Sequence, residues 1–361
     1  MLLALNIGNT NVTFGGYDSA GQRVFASRFY SDSALSSDEL VYKLVNMLAL
    51  YHIQPRDVDA AILASVVPVL TSRMREALEK MTNAPLMEVG PGLKSGVRIR
   101  MDNPAQLGGE LLCAAVGALQ THKPPLLVMN MDTAATLVAV DAEGSIVGGV
   151  ILPSPALSLS ALVRNTAQLP QIDMELPAKR FLGTNTTDCL HSGIVNGSAL
   201  MLDGLFARCR ATLHAPDAPV IATGTLPASI RDACATPIEY NGTLILDGLY
   251  SIWKRNVKKS AIWSGLTIIA SYTIGVWLVY LVTGSYNKTV ILNATNYLKF
   301  DTLFYIVTTL ICILRNAMQG LGDHITPLIS SGLEMAGKIV IAATLVPWLG
   351  YTGVIICEPI V

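Results

Sequence analysis

Charge is scarce in this sequence. Of 361 residues only 14% are Asp, Glu, Lys or Arg, and they balance to a formal net charge of −1. No basic face is available to neutralise a phosphate backbone, so nucleic acid is excluded as a partner on electrostatic grounds. Cysteine is sparse as well: Cys113, Cys189, Cys209, Cys234, Cys312 and Cys357 form no C-x-x-C pair and no zinc-ligand spacing. They read as buried small residues of a reducing compartment. The first apolar segment has no basic flank and is only about five residues long, so it is not expected to act as a secretory signal.

Apolar residues are what the chain has in excess. They make up 51% of it, the mean hydropathy is +0.47, and the excess is uneven. Residues 1–255 read as apolar-rich and globular, whereas 261–361 contain runs that suit a bilayer. The length accommodates two or three domains.

The first fifteen residues carry the strongest local pattern. An apolar run ending at Ile7 breaks at Gly8, Asn9 and Thr10 and resumes with Val12 and Phe14 alternating. This predicts strand, tight turn and returning strand. Such a turn can present backbone N–H groups and short polar side chains to a nucleotide phosphate, since glycine removes the Cβ that would block close approach. An ordinary hairpin turn has the same composition. The design recurs at Leu126–Val140, where Asn130, Met131, Asp132 and Thr133 separate two apolar strands. Two such hairpins suggest a duplicated domain with a phosphate site between the turns, as in actin-like and hexokinase-like phosphotransferases.

Between the hairpins, strands and helices alternate, which favours an α/β class. Arg23–Arg28 and Asp59–Ser65 read as strands, Ser37 onward and Leu70–Met81 as amphipathic helices. Gly108 and Gly109 open a further helix with Glu110 in its first turn, where a carboxylate suits the positive end of the dipole. Glu110 is a candidate general base, or simply a helix-start acid. His191 reads as structural, Asp247 as a helix cap and Asn241-Gly242 as a turn.

The succession of Gly8-Asn9-Thr10, Ser65-Val66-Val67-Pro68, Asn103-Pro104 with Gly108, Thr133-Ala134-Ala135-Thr136, Gly148-Gly149, Asn185-Thr186, Ala222-Thr223-Gly224 and Leu246-Asp247-Gly248 resembles type III pantothenate kinase over residues 1 to about 256. The resemblance implies two ribonuclease-H-like domains, 1–120 and 121–256, and a homodimer. It implies ATP-dependent phosphorylation of pantothenate, the first step of coenzyme A synthesis, with magnesium and a monovalent cation, potassium or ammonium. Carried over by residue, Glu110 is the catalytic base. Asn6, Gly8, Asn9, Thr10, Thr133 and Gly224 bind nucleotide, Gly108, Gly109 and Thr186 bind substrate, and Asn130 marks the monovalent-cation position.

The site departs from the family's pattern. Asn6 and Asn130 stand where the family has Asp, Glu110 replaces an Asp, Leu111 replaces a substrate-binding Arg, Asp132 replaces a Gly and Thr225 another Gly. These changes remove charge that would hold cations and a bidentate anion donor, so a weakened or inactive kinase is expected.

After Asn256 the character changes. A basic cluster, Lys254, Arg255, Lys258 and Lys259, precedes the uncharged run Ala261–Val282, which as a helix is about 33 Å long and long enough to span a bilayer. The positive-inside rule then places the kinase-like part in the cytoplasm and the tail in the cell membrane. Further spans are expected at Leu303–Leu314 and Ile325–Leu349, with the start of a fourth from Tyr351. Leu314–Asp323, Thr326-Pro327, Glu334 with Lys338, and Glu358-Pro359 resemble part of a multidrug and toxic compound extrusion (MATE) transporter, a cation-coupled antiporter family. Residues 257–361 are therefore expected to form three to four transmembrane helices. A membrane-tethered ligand-binding module without catalysis, and a fused or truncated reading frame, are the alternatives for the whole.

Overall fold

The computed structural model describes residues 1–90, 92–273, 277, 288–303 and 325–349. The chain divides into two compact units, Met1–Arg255 and Asn256–Val361.

The first unit is built from two sheets of the same design. Strands β1 (Leu2–Ile7), β2 (Asn11–Tyr17), β3 (Arg23–Tyr30), β4 (Ala60–Ser65) and β5 (Leu86–Glu88) lie in the order β3-β2-β1-β4-β5. The second sheet comprises β6 (Arg98–Ile99), β7 (Leu126–Met131), β8 (Ala134–Val140), β9 (Ser145–Pro153), β10 (Val220–Gly224) and β11 (Ile238–Tyr240), ordered β11-β10-β7-β8-β9-β6. In each, an antiparallel hairpin continues into a third antiparallel strand on one side and parallel strands on the other. The α/β class and the duplicated hairpin are thus seen directly. Edge strand β6 pairs with β9, so a segment that precedes residue 120 belongs to the second sheet.

Helices cover both faces of the sheets. These are α1 (Ser37–Ala49), α2 (Pro68–Met81), α3 (Gly109–Thr121), α4 (Pro155–Asn165), α5 (Thr186–Thr212), α6 (Ala228–Ala233) and α7 (Leu244–Thr273). Helix α1 starts where a capping box forms: Ser36 receives the Glu39 N–H while the Glu39 carboxylate accepts from the Ser36 N–H. Side-chain alternation along β1 assigns its two faces. Leu3, Leu5 and Ile7 join the cluster under α1 and α2, while Leu2 and Ala4 join the cluster containing Cys113 and Val116 of α3. Period two places Asn6 on the face of Leu2 and Ala4. The same logic in β7 puts Leu126 and Val128 on the α3 cluster, and Asn130 with them, while Leu127, Met129 and Met131 face the outer cluster.

Helix α3 therefore lies in a layer shared by both sheets, and α7 packs on it through small residues. A Cβ on Gly117 would meet the Leu244 carbonyl oxygen at 2.2 Å, and one on Gly248 the Cys113 carbonyl oxygen at 1.9 Å. Only glycine at these positions allows the two backbones so close. Asp247, expected as a helix cap, has a different task. Its Oδ1 accepts from Tyr17 Oη and from Arg23 Nη1, each at 2.7 Å, tying α7 to the first sheet. Burial and the adjacent carboxylate push the Tyr17 phenol far above its ordinary range. The cysteine expectation also needs correcting, since Cys113 is buried but Cys189 is exposed.

In the second unit the described helices include α8 (Lys288–Leu303) and α9 (Ile325–Leu349). Among the described residues, no helix is long and apolar enough to cross a membrane. The expected span Ile325–Leu349 is a helix, but it carries Glu334 and Lys338, paired at 2.9 Å one turn apart. Part of the expected span Ala261–Val282, nearly all of Leu303–Leu314 and the segment from Tyr351 lie outside the described residues.

Candidate active site

The two hairpin turns bring their polar residues together. Gly8 closes the first turn by donating its N–H to the Asn11 carbonyl oxygen at 2.9 Å, and Asp132 N–H donates to the Ala134 carbonyl oxygen in the second. Thr10 and Thr133 touch hydroxyl to hydroxyl across the gap. Burial raises the Asp132 carboxyl above its ordinary range, and the neighbouring polar groups of Thr10, Asn11 and Thr133 oppose that rise. A Cβ on Gly8 would sit 2.8 Å from Asp132 Oδ2. Glycine is needed there for the turns to approach.

Glu110 lies at the focus. Helix α3 opens with Gly108 as its cap residue, which places Glu110 in the first turn and nearly buried. Its Oε1 accepts from Asn6 Nδ2 at 3.2 Å and from Asn130 Nδ2 at 2.9 Å. Burial pushes the carboxyl above the ordinary range. The Asn130 amide opposes that rise, the Asp132 charge adds to it, and the Asn6 amide opposes it again. A carboxylate so placed can take a proton nearer neutral pH than a free one.

Asn6, Glu110, Asn130, Asp132 and Gly224 line one cleft of about 370 Å³. Gly224 ends β10 with φ +87, and a Cβ there would meet the Met131 carbonyl oxygen at 2.2 Å. Tyr240 donates its hydroxyl to the Gly224 carbonyl oxygen at 2.6 Å, fixing that turn. Arg28 of β3 and Tyr240 of β11 also line the cleft. Sequence reasoning did not single them out. Arg28 pairs in register with Thr13, so the continuation of the hairpin into a third strand was the available signal.

The other expected residues are placed less centrally. Gly109 packs its Cα side against Val89 and Ala64. Gly108 and Gly109 position Glu110 through the helix start. Asn9 is exposed at the tip of the first turn. Thr186 is exposed in the first turn of α5, next to Asn185, whose Oδ1 caps the helix by accepting from the Asp188 N–H. Asn130, the expected monovalent-cation position, gives its amide to Glu110. His191 donates its Nε2–H to the Leu176 carbonyl oxygen at 2.8 Å, a contact that ties α5 to the preceding segment.

Residues 2–208 match the family model described as type III pantothenate kinase. The chain belongs to the type III pantothenate kinase family. Its relatives include the type III pantothenate kinases of Rhodospirillum centenum, 37% identical over 72% of this chain and 100% of the relative, and Caulobacter vibrioides, 34% identical over 71% and 98%. That of Rubrobacter xylanophilus is 34% identical over 72% and 100%. These alignments leave over a quarter of the kinase-family chain unmatched. Neither the matched regions nor the described helices support the expected membrane-spanning tail or its transporter relationship.

Proposed function

We propose that the unit Met1–Arg255 transfers a phosphoryl group from ATP to the hydroxyl of pantothenate, at a low rate. The observation that carries this reading is Glu110, a nearly buried carboxylate held by amides from both hairpins at the cleft where the turns meet. In phosphoryl transfer the protein contributes mainly positioning and charge stabilisation. The backbone N–H groups around Gly8, Thr10 and Thr133, together with Gly224, would cradle the nucleotide phosphates. Asn9 and Asn6 border the same place. Glu110 takes the proton of the substrate hydroxyl, and Gly108 and Gly109 set its position. Thr186 is assigned to pantothenate by resemblance.

Magnesium fits the residues present, because buried oxygens of Asn6, Asn130 and Asp132 have no hydrogen-bond partner and hard cations take such oxygens. When bound, magnesium neutralises phosphate charge. The neutral Asn6 and Asn130 support a low rate, since they hold a cation less firmly than carboxylates do. A homodimer, expected from the family, is supported by exposed apolar Ile151, Leu157, Phe181, Leu182 and Leu200 on or near β9, α4 and α5. The substrates, ATP and pantothenate, suit the cytoplasm for this unit.

The test is phosphopantothenate formation by the full chain with ATP and magnesium, read by mass spectrometry. Slow product formation that Glu110→Gln abolishes is the expected result. Absence of product from a chain that binds both substrates would overturn the reading.

A further inference from the structure

Matching rows of cross-strand partners run out from the two hairpins, and the rows differ in their third member. In the first sheet Asn6 pairs with Thr13, and Thr13 with Arg28. In the second, Asn130 pairs with Thr136, and Thr136 with Ile151. Cross-strand partners share a face of the sheet, so Arg28 stands on the face of Asn6. Ala26, two residues earlier in β3, packs on the cluster of Leu2 and Ala4 and confirms that assignment. The duplicated unit thus repeats Asn and Thr, then places a cation in one half and an exposed apolar residue in the other. Arg28 lines the cleft, whereas Ile151 is not among its lining residues.

Among the described residues that line the cleft, Arg28 is the single cation, set beside the carboxyls of Glu110 and Asp132. It makes no ion pair or hydrogen bond among the described residues. Other arginines of this unit are committed: Arg23 to Asp247, Arg75 to Glu88 and Arg100 to Asp141. A guanidinium without a protein partner is a planar fork of donors matched to phosphate oxygens. Two strand spacings, about 10 Å, separate its backbone from that of Asn6. A ligand that reaches from one to the other is therefore extended, as a polyphosphate chain is and a single carboxylate is not. Glu110 and Asp132 oppose an anion in the cleft, so its affinity depends on the one cation present.

We propose that Arg28 holds the polyphosphate chain of the nucleotide, gripping it from β3 while the hairpin turns hold it at Gly8, Thr10 and Thr133. The identity of the ligand rests on the kinase reading. Leu111, where the family has Arg, leaves the start of α3 without a cation. The anion-holding charge of the cleft is therefore carried by the first sheet alone.

Isothermal titration of ATP, ADP, adenosine and pantothenate into the full chain with magnesium, for the parent, Arg28→Met and Arg28→Lys, tests this. Arg28→Met should weaken ATP by about 10–100-fold, the worth of a bidentate charged pair, and leave adenosine and pantothenate within about threefold. ADP should lose no more than ATP. Arg28→Lys should recover part of the loss, because a point charge attracts phosphate without the fork. Retained adenosine binding shows that Arg28→Met is folded. Equal ATP affinity in Arg28→Met, an equal loss for adenosine, loss of pantothenate in place of ATP, or no ATP binding by the parent would overturn the assignment. Phosphopantothenate formation unaffected by Arg28→Met sinks the Arg28 role and spares the kinase reading. ATP held through Arg28 with no product does the reverse.

Discussion

Asn130 Nδ2 lies 2.9 Å from Glu110 Oε1, and that bond joins the second sheet to the helix shared by both. Asn6 makes the equivalent bond from the first sheet at 3.2 Å. One carboxylate oxygen thus registers the two halves of the duplicated unit against each other. Loss of Glu110 has consequences for both catalysis and stability.

Glu110→Gln should lower phosphopantothenate formation by about 10²–10⁴-fold, the usual contribution of a positioned general base. The nucleotide dissociation constant should stay within about threefold, because Glu110 acts on the hydroxyl substrate. Turnover comparable to the parent would remove Glu110 from the base role.

The rate should also depend on pH in a defined direction. Burial raises the Glu110 carboxyl, so the rising limb of kcat/KM lies above the ordinary carboxylate range. Asn130→Asp adds a like charge beside it and should move that limb further up. A limb at the pKa of a free carboxylate would contradict the burial argument.

Stability follows the same carboxyl with the opposite trend. A raised folded pKa means that the folded chain holds a proton the unfolded chain has lost. This stability is fully present below the unfolded pKa and falls as pH rises through the folded one. Glu110→Gln should therefore melt higher than the parent by roughly 2–4 °C at about pH 8. The gap should close towards about pH 4 in calorimetry.

Gly248→Ala should destabilise the first unit by about 1–3 kcal/mol through overpacking. The added methyl would lie 1.9 Å from the Cys113 carbonyl oxygen, where backbone cannot yield cheaply. Urea unfolding of the full chain gives the measurement, and an unchanged midpoint would rule out the close crossing of α3 and α7.

Asp247→Asn should cost about 1–2 kcal/mol by weakening the contacts of Tyr17 and Arg23 with α7, a modest figure because both ionic partners are about one-third exposed. The ultraviolet titration of Tyr17 should shift down towards ordinary phenols once the neighbouring charge is gone.

Several features of the fold were legible in the sequence because they are local. The breaks at Gly8 and Asp132 within apolar runs mark the hairpins, and β1–β2 and β7–β8 form there. The Gly108-Gly109 helix start and the acidic first turn at Glu110 are equally local signals. The expected membrane spans rest on hydropathy, flanking charge and a resemblance, and among the described residues Ile325–Leu349 is a helix that carries the Glu334–Lys338 pair within it.

Period-two alternation in β1 and β7 determined by itself which face Asn6 and Asn130 occupy. It could not say what covers that face. Only the tertiary structure put α3 between the sheets, gave Glu110 both amides, and brought Asp132 against Gly8 and Thr10. The physical reason is range. Strand and turn propensities act over a few residues, whereas Asn6 and Glu110 are 104 residues apart. Their meeting comes from the packing of α3 against β1, whose Leu2 and Ala4 share a cluster with Cys113 and Val116.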